Sequence, residues 1–261
     1  MTPALPLSWA VRTDAGLRRS SNEDSHAARP DIGLFLVADG MGGHAAGEVA
    51  SRVVVESVAA FIEETAGADV NRTWPFPFEP ELSLEANRLK AAFRLANRKL
   101  AHAIANSQDL RGMATTASAM LVSRDGKACV AHIGDSRVYL LRGSGLRQMT
   151  DDHSWVEEQV RAGMLTPADA RQHPWRNVVT RALSGAEDPE IDVVQLTPEA
   201  GDRYLLCSDG LFGVVPDDEI AAVLGDRDAA LDEICGRLIE KANEAGGPDN
   251  ITALVIQIDA S

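Results

Sequence analysis

Short apolar runs bounded by turn residues alternate with longer amphipathic stretches along this chain of 261 residues. Apolar or alternating runs of about five to eight residues are typical of β-strands. Seven such runs predict strands over 32–38, 116–123, 128–133, 137–142, 190–196, 203–207 and 251–258. The chain is therefore expected to be rich in β-structure.

The links next to the three middle runs are short and contain glycine. They are residues 124–127 and 143–145. Links of this kind join antiparallel neighbours by tight turns. We expect the runs 116–123, 128–133 and 137–142 to form one antiparallel meander, which argues against a doubly wound parallel sheet.

Amphipathic spacing predicts three long helices. Apolar residues recur at helical spacing over 48–65, over a stretch that follows Ser83, and over about 228–244. Helices with one apolar stripe cover the face of a sheet. The pattern therefore predicts one α+β domain over residues 1–261, with antiparallel sheets covered by helices.

Two shorter helices are expected between the strands. Ser154 followed by Glu157 has the sequence of a capping box. Thr166 followed by Pro167 places proline at a first helical position. Both signals fall in the polar, irregular segment 154–183.

Composition narrows the range of partners and compartments. The 25 basic and 39 acidic side chains give a net charge of −14, which repels nucleic acid and anionic lipid. No apolar run approaches the roughly 20 residues that span a bilayer, and the first residues lack a secretion-signal pattern. Three widely spaced cysteines, Cys129, Cys207 and Cys235, are expected to be buried free thiols. We expect a cytoplasmic protein without nucleic-acid or membrane partners.

Aspartates recur at the borders of predicted strands. Asp39, Asp135 and Asp209 each follow an apolar run, and Asp249 precedes the run 251–258. Taken singly, each is as well explained by a turn. Together they predict carboxylates crowded at one sheet edge, where a divalent cation would offset their repulsion. All donors are oxygens, which favours Mg²⁺ or Mn²⁺ over Zn²⁺.

Neighbouring residues extend this candidate site. Gly40 allows close backbone approach, so its carbonyl is a further candidate ligand. The segment 18–24 adds Glu23, Asp24 and arginines. A guanidinium fork suits phosphate, which makes Arg19 a candidate phosphate ligand, with a plain surface role as the alternative.

Eight motifs follow in order over nearly the whole chain: RSSNEDS (19–25), VADGMGGHAAGEVAS (37–51), ATTASAM (114–120), HIGDSRVYLLR (132–142), TDDHS (150–154), HPWRNVVTRAL (173–183), LLCSDGL (205–211) and GGPDNIT (246–252). Together they resemble the motifs of the metal-dependent protein serine/threonine phosphatases (PPM or type 2C family), especially compact bacterial members. Each motif alone is weak evidence. Eight in one order are highly specific.

The resemblance implies a four-layer α-β-β-α sandwich of two antiparallel sheets, with two metals at one end. It implies that Asp39, Asp209 and Asp249 bind one metal, and that Glu23, Asp39 and the Gly40 carbonyl bind the other. Asp135 corresponds to a ligand of a third, weaker ion. Some relatives have a further aspartate for that ion where this chain has Gly213.

The remaining site residues also follow from the resemblance. Arg19 is expected to grip the phosphate, and Asp24 to orient a water beside the metals or Arg19. His44 lies where the general acid is proposed. His153 competes with it for that role, whereas His132 is expected to serve packing.

The implied activity is hydrolysis of phosphoserine and phosphothreonine in proteins by a metal-activated water, opposing a Ser/Thr kinase in signalling. The segment 154–183 corresponds to a mobile flap that contacts substrate protein, with a surface connection as the alternative. Two other functions stay open. One is a non-catalytic phosphoprotein-binding relative, which would be expected to lack metal ligands. The other is a phosphatase acting on small phosphate esters.

Overall fold

The computed structural model describes residues 6–43, 46–67, 75–186 and 188–260. The strands are β1 Leu7–Asp14, β2 Asp24–Arg29, β3 Leu34–Met41, β4 Ala114–Thr115, β5 Ala117–Val122, β6 Ala128–Ile133, β7 Arg137–Arg142, β8 Gly145–Gln148, β9 Asp192–Leu196, β10 Arg203–Cys207 and β11 Ile251–Ile258. The α-helices are α1 Ala46–Glu64, α2 Leu84–Asn106, α3 Trp155–Arg161, α4 Pro167–Gln172, α5 Asp209–Phe212, α6 Asp217–Leu224 and α7 Leu231–Glu244. A short 3₁₀ turn covers Gln108–Leu110.

The strands form two antiparallel sheets. One has the order β1-β11-β10-β7-β8, and the other has the order β2-β3-β5-β6-β9 with β4 paired to β3. Their facing sides share a buried apolar layer that includes Phe35, Met120, Tyr204 and Ile256. Helices α1 and α2 cover the outer face of the second sheet, and α5 to α7 cover the first. The predicted four-layer sandwich is confirmed.

Local sequence explains where the long helices lie. The apolar stripe of α1, including Val54, Val58 and Ile62, is buried with Leu89 and Phe93 of α2. Burial of such side chains is the main stabilising contribution, at about 1.5–3 kcal/mol each. Helix α2 begins where Ser83 caps it, its Oγ accepting a hydrogen bond from the Ala86 amide at 3.2 Å.

The prediction of one meander is wrong in its second half. β5 and β6 form the expected hairpin, and β7 pairs with β8 through Arg142 and Gly145. β6 and β7, however, belong to different sheets. These strands are buried on both faces, so their sequences do not specify which neighbour each one pairs with. The link between them, Gly134–Asp135–Ser136, therefore crosses from one sheet to the other.

The two short helices, α3 and α4, differ from the expectation in how their N-termini are capped. Ser154 does begin α3, since its Oγ accepts from the Glu157 amide at 3.4 Å. The complete capping box lies at α4, where Thr166 and Asp169 satisfy each other reciprocally. Glu157 instead pairs with Arg161 one turn later on α3. Its side chain is thus used along the helix rather than for the cap.

The three cysteines, Cys129, Cys207 and Cys235, are free and buried, as predicted. No helix within the described ranges is both long enough and apolar enough to cross a membrane.

Candidate metal centre

The predicted acidic side chains gather at one end of the sandwich. Asp39 lies in β3, and Asp209 begins α5 directly after β10. Asp249 precedes β11, and Asp135 lies in the link that crosses between the sheets. Repulsion from Asp209, Asp135 and Asp249 acts on Asp39, which shows that the chain brings these carboxyl groups together. The crowding predicted from the sequence is therefore confirmed.

Burial and like charge raise the pKa values of the central carboxyls. Burial, and then repulsion from Asp24, holds the pKa of Asp39 well above its usual range. Burial and the charge of Asp249 raise the pKa of Asp209 to about 6. Burial also raises the pKa of Glu23. The site is thus short of positive charge.

Two threonines fix the backbone of Asp39. The Thr115 hydroxyl and the Thr116 amide both donate to the Asp39 carbonyl, at 2.8 and 2.9 Å. The Asp39 amide donates to Thr116 Oγ1 at 3.1 Å. Ala114 lies in β4 opposite Met41. The methyl group is accommodated there, next to the residues that hold Asp39.

Glycines allow β3 and α1 to approach Glu23 closely. A Cβ atom on Gly47 would overlap Glu23 Oε2, and one on Gly40 would overlap the Gly47 carbonyl. Gly47 was not among the predicted site residues, although it falls in the motif 37–51. The available signal was a glycine directly before the predicted helix 48–65.

Two hydroxyl groups anchor the Asp24 side chain. Its Oδ2 accepts hydrogen bonds from Ser208 at 2.7 Å and Thr252 at 2.6 Å. The side chain faces these hydroxyls rather than Arg19. Asp24 lies directly opposite Asp39 in the β2–β3 register, and burial raises its pKa to about 7.

Asn250 holds the segment that carries Glu23. Its Oδ1 accepts from the Glu23 amide at 2.8 Å, and its Nδ2 donates to the carbonyls of Ala15 and Ser21 at 2.9 and 2.8 Å. Sequence reasoning missed this role. A polar residue at the start of a fully buried strand was the available signal.

Arg19 forms an ion pair with Asp249 of the carboxylate cluster. Its Nη2 lies 2.6 Å from Asp249 Oδ2, and its side chain is 54% exposed. That hydrogen bond, with the charges of Asp249, Glu23 and Asp209, raises the Arg19 pKa. The guanidinium therefore stands at the rim of the carboxylate cluster with much of its surface open to solvent.

The donor set fits a hard divalent cation in its chemistry. Among the described residues, no hydrogen-bond donor reaches the buried Oδ1 of Asp209 or of Asp24. A buried carboxylate oxygen without a donor is costly unless a cation or a proton compensates it. In the described ranges, no group of three or more His, Cys, Asp or Glu side chains is arranged so that it could hold a metal ion. The fit thus rests on charge and donor type.

The candidate histidines lie in three different settings. His44 falls outside the described residues. His132 is buried, with Nε2 donating to the Asp151 carbonyl at 3.0 Å, which agrees with the packing role expected for it. His153 is 3% exposed, and both of its ring nitrogens are engaged. His153 therefore lacks the accessible nitrogen that a general acid needs.

Asp135 is buried beside this cluster. Burial and repulsion from Asp209 hold its pKa well above the usual range. Gly213, four residues after Asp209, ends α5, and its amide donates to the Asp209 carbonyl at 2.8 Å. It contributes no carboxylate, so Asp135 lacks the acidic companion that some related motifs have.

Comparison with known proteins agrees with this geometry. The model of the family described as protein phosphatase 2C matches residues 17–250. Serine/threonine protein phosphatase PstP of Mycobacterium tuberculosis is 42% identical over 254 residues, which are 97% of this chain and 45% of PstP. Serine/threonine phosphatase stp of Listeria monocytogenes is 36% identical over 254 residues, which are 95% of this chain and 94% of that protein. This chain thus spans less than half of the PstP relative and nearly all of the Listeria one.

A solved structure has the same fold. The catalytic domain of PstP in complex with two manganese ions superposes with a TM-score of 0.82 at 39% identity, covering 97% of this chain and 99% of that one. With the family match over most of the chain, this establishes that the chain belongs to the protein phosphatase 2C family.

Proposed function

We propose that this chain removes phosphate from phosphoserine and phosphothreonine in proteins, and that residues 1–261 form one catalytic domain. The carboxylate cluster around Asp39 and Asp209, buried and short of positive charge, carries the proposal. Family membership and relatives named serine/threonine phosphatases support the same reaction. A two-manganese complex of one relative supports a pair of ions.

The site residues divide between two ions, Mn²⁺ or Mg²⁺. Asp39, Asp209 and Asp249 are assigned to one, and Glu23, Asp39 and the Gly40 carbonyl to the other. When bound, such ions generate a nucleophile from water at neutral pH and offset the charge of the phosphoryl oxygens. The chain itself keeps the mutually repelling carboxylates in place through the hydrogen bonds that fix their backbone.

Arg19 is assigned to bind the substrate phosphate. Its fork-shaped guanidinium lies at the exposed rim of the cluster, where a phosphate can reach it. Asp24 supports the site, because its hydrogen bonds join β2 to Ser208 and Thr252. His44 is retained as the candidate that protonates the leaving alkoxide.

Arg19→Ala is expected to raise KM for a phosphothreonine peptide about tenfold with a smaller effect on kcat, since the lost contact acts in both ground and transition states. Steady-state kinetics check this. Arg18→Ala removes a neighbouring exposed arginine and is expected to leave KM unchanged. If calorimetry showed Mn²⁺ binding weakened as much as peptide binding, Arg19 would have a structural role instead.

Asp135 is assigned to a third, weaker ion. A site with few anionic ligands binds a hard cation weakly. This ion is therefore expected to bind at millimolar rather than micromolar concentration. Asp135→Ala should lower kcat severalfold in the high-concentration phase of Mn²⁺ activation. The control, Asp151→Ala, removes an exposed carboxylate that pairs with Arg161. Superimposable Mn²⁺ titrations of wild type and Asp135→Ala would refute a catalytic third ion.

The proposed setting is cytoplasmic signalling. Phosphorylated proteins are the substrates, and a Ser/Thr kinase provides the opposing activity. Three buried free thiols fit a reducing compartment, and the net charge of −14 disfavours nucleic acid and anionic membranes as partners.

Release of phosphate from phosphothreonine peptides, with Mn²⁺ against EDTA, tests the proposal. We expect rapid release with Mn²⁺ and none with EDTA. A small aryl phosphate and a small sugar phosphate serve as comparison substrates. A higher kcat/KM for the sugar phosphate than for the peptide would favour a small-ester phosphatase. Binding of the peptide without turnover would favour a non-catalytic relative.

A further inference from the structure

His153 lies outside the carboxylate cluster, between the link 134–136 and the segment 154–183. Its side chain is buried, with 3% of the residue exposed. The ring centroid is 4.8 Å from that of His132. The proposed reaction uses neither of these rings, so the contacts of His153 call for a separate explanation.

On one side, His153 is bonded to Gly134 twice. The His153 amide donates to the Gly134 carbonyl at 2.7 Å, and the Gly134 amide donates to His153 Nδ1 at 3.1 Å. Since a backbone amide can only donate, Nδ1 must accept and carries no proton. The proton of the neutral ring is therefore on Nε2.

On the other side, His153 joins both ends of the segment 154–183. Its Nε2 donates to Asp192 Oδ2 at 3.1 Å, and Asp192 Oδ1 lies 3.6 Å from Arg181 Nη1. The Thr180 amide donates to the His153 carbonyl at 2.8 Å. Ser154 and Val179 pair in an isolated bridge. The start and the end of the segment thus meet at this residue.

The link next to His153 has little freedom of its own. Gly134 has a φ of +108°, and a Cβ atom there would overlap the side chain of Thr116. Thr116 thus closes one side of the link, while His153 bonds both polar backbone atoms of Gly134. Asp135 is the next residue, so its position depends on this arrangement.

We propose that His153 is a positioning residue, which holds the link 134–136 in a fixed relation to the segment 154–183 and so places the Asp135 carboxylate. Through the bond between the Thr180 amide and the His153 carbonyl, and the bonds between His153 and Gly134, a rearrangement of the segment changes the placement of Asp135. The consequence for metal binding rests on the function proposed above for Asp135. The connection that His153 makes between the link 134–136 and the segment 154–183, called the tether below, does not rest on that function.

Two substitutions remove the two side-chain hydrogen bonds of His153 one at a time. His153→Asn keeps an acceptor near the position of Nδ1 and loses the contact with Asp192. His153→Gln keeps a donor near the position of Nε2 and loses the acceptor for the Gly134 amide. Hydrogen exchange of the Gly134 amide is measured by NMR in the metal-free protein, with the Val130 amide of β6 as the reference for general opening.

We expect His153→Gln to speed Gly134 exchange about fivefold relative to Val130, the ratio that one lost net hydrogen bond corresponds to. His153→Asn should stay within about twofold of wild type. Mn²⁺ titrations of activity then follow the high-concentration phase, with the low-concentration phase as an internal reference. The Mn²⁺ concentration at the midpoint of the high-concentration phase should rise in His153→Gln and equal the wild-type value in His153→Asn.

Two results would overturn the proposal. One is unchanged Gly134 exchange in His153→Gln, and the other is equal acceleration in both variants, since that indicates a general loss of packing. Faster Gly134 exchange with an unmoved Mn²⁺ midpoint would support the tether and contradict the metal role of Asp135. The amide measurement therefore distinguishes a failed tether from a failed assignment of Asp135.

Discussion

Asp209→Asn is expected to abolish turnover of phosphothreonine peptides, with a loss on the order of a thousandfold or more. The substitution keeps the shape of the side chain and removes one negative charge from the cluster that is proposed to hold the ions. Asp39→Ala should have the same effect, because Asp39 is assigned to both ions. Initial rates over a Mn²⁺ series measure the loss.

Metal binding provides a readout besides activity. Saturating Mn²⁺ should raise the melting temperature of wild type, because an ion that binds only the folded chain stabilises it. Asp209→Asn should lose most of this shift. The control, Asp228→Asn, changes an exposed aspartate and should behave as wild type. Full Mn²⁺-dependent activity in Asp209→Asn would contradict the two-ion assignment.

The fold of metal-free Asp209→Asn should survive, since the substitution relieves repulsion among buried carboxylates. We expect its free energy of unfolding in EDTA at neutral pH to equal or exceed that of wild type. Urea unfolding measures it. A large fall would mean that Asp209 stabilises the fold through contacts other than ion binding.

The second large effect concerns pH and His132. Burial, and then the neighbouring His153, lowers the pKa of His132 to about 3. In the unfolded chain a histidine has a pKa of about 6.5. Between these values the unfolded chain binds the additional proton, so the free energy of unfolding falls as pH falls. The stabilising neutral state is fully present above about pH 6.5 and is lost progressively below it.

This group should contribute a slope of about 1.4 kcal/mol per pH unit below pH 6.5, or about 2 kcal/mol at pH 5. The raised carboxyl pKa values act in the opposite direction, so the comparison must be between wild type and His132→Gln. Urea unfolding in EDTA at pH 7.5, 6.5 and 5.5 gives both slopes. The variant should have the shallower loss, whereas the exposed His102→Gln should match wild type. Equal slopes for His132→Gln and wild type would show that His132 does not titrate as predicted.

Strands with a continuous apolar run were predictable from the sequence. The observed β6, β7, β10 and β11 have the same bounds as the predictions. β1 and β2 were missed, because they are only partly buried and mix charged with apolar residues. The pairing of β7 in the other sheet was also not predictable, since it depends on how the link at Gly134 turns.

The acidic residues of the site could be predicted because their positions at strand borders recur along the sequence. The contacts that hold these acidic residues in place could not be predicted. Asp24 lies opposite Asp39 only through the β2–β3 register, and its bonds to Ser208 and Thr252 cross from one sheet to the other. Such contacts between residues far apart in sequence leave no local pattern.

Diffraction from a crystal of the Mn²⁺-loaded protein, with anomalous data collected at the manganese absorption edge, tests the central claim most directly. We predict two strong anomalous peaks: one contacted by Asp39, Asp209 and Asp249, and one by Glu23, Asp39 and the Gly40 carbonyl. The peak contacted by Asp39, Asp209 and Asp249 should be absent in Asp209→Asn measured at the same Mn²⁺ concentration. Peaks elsewhere on the chain, or none in wild type at a concentration that supports turnover, would contradict the account.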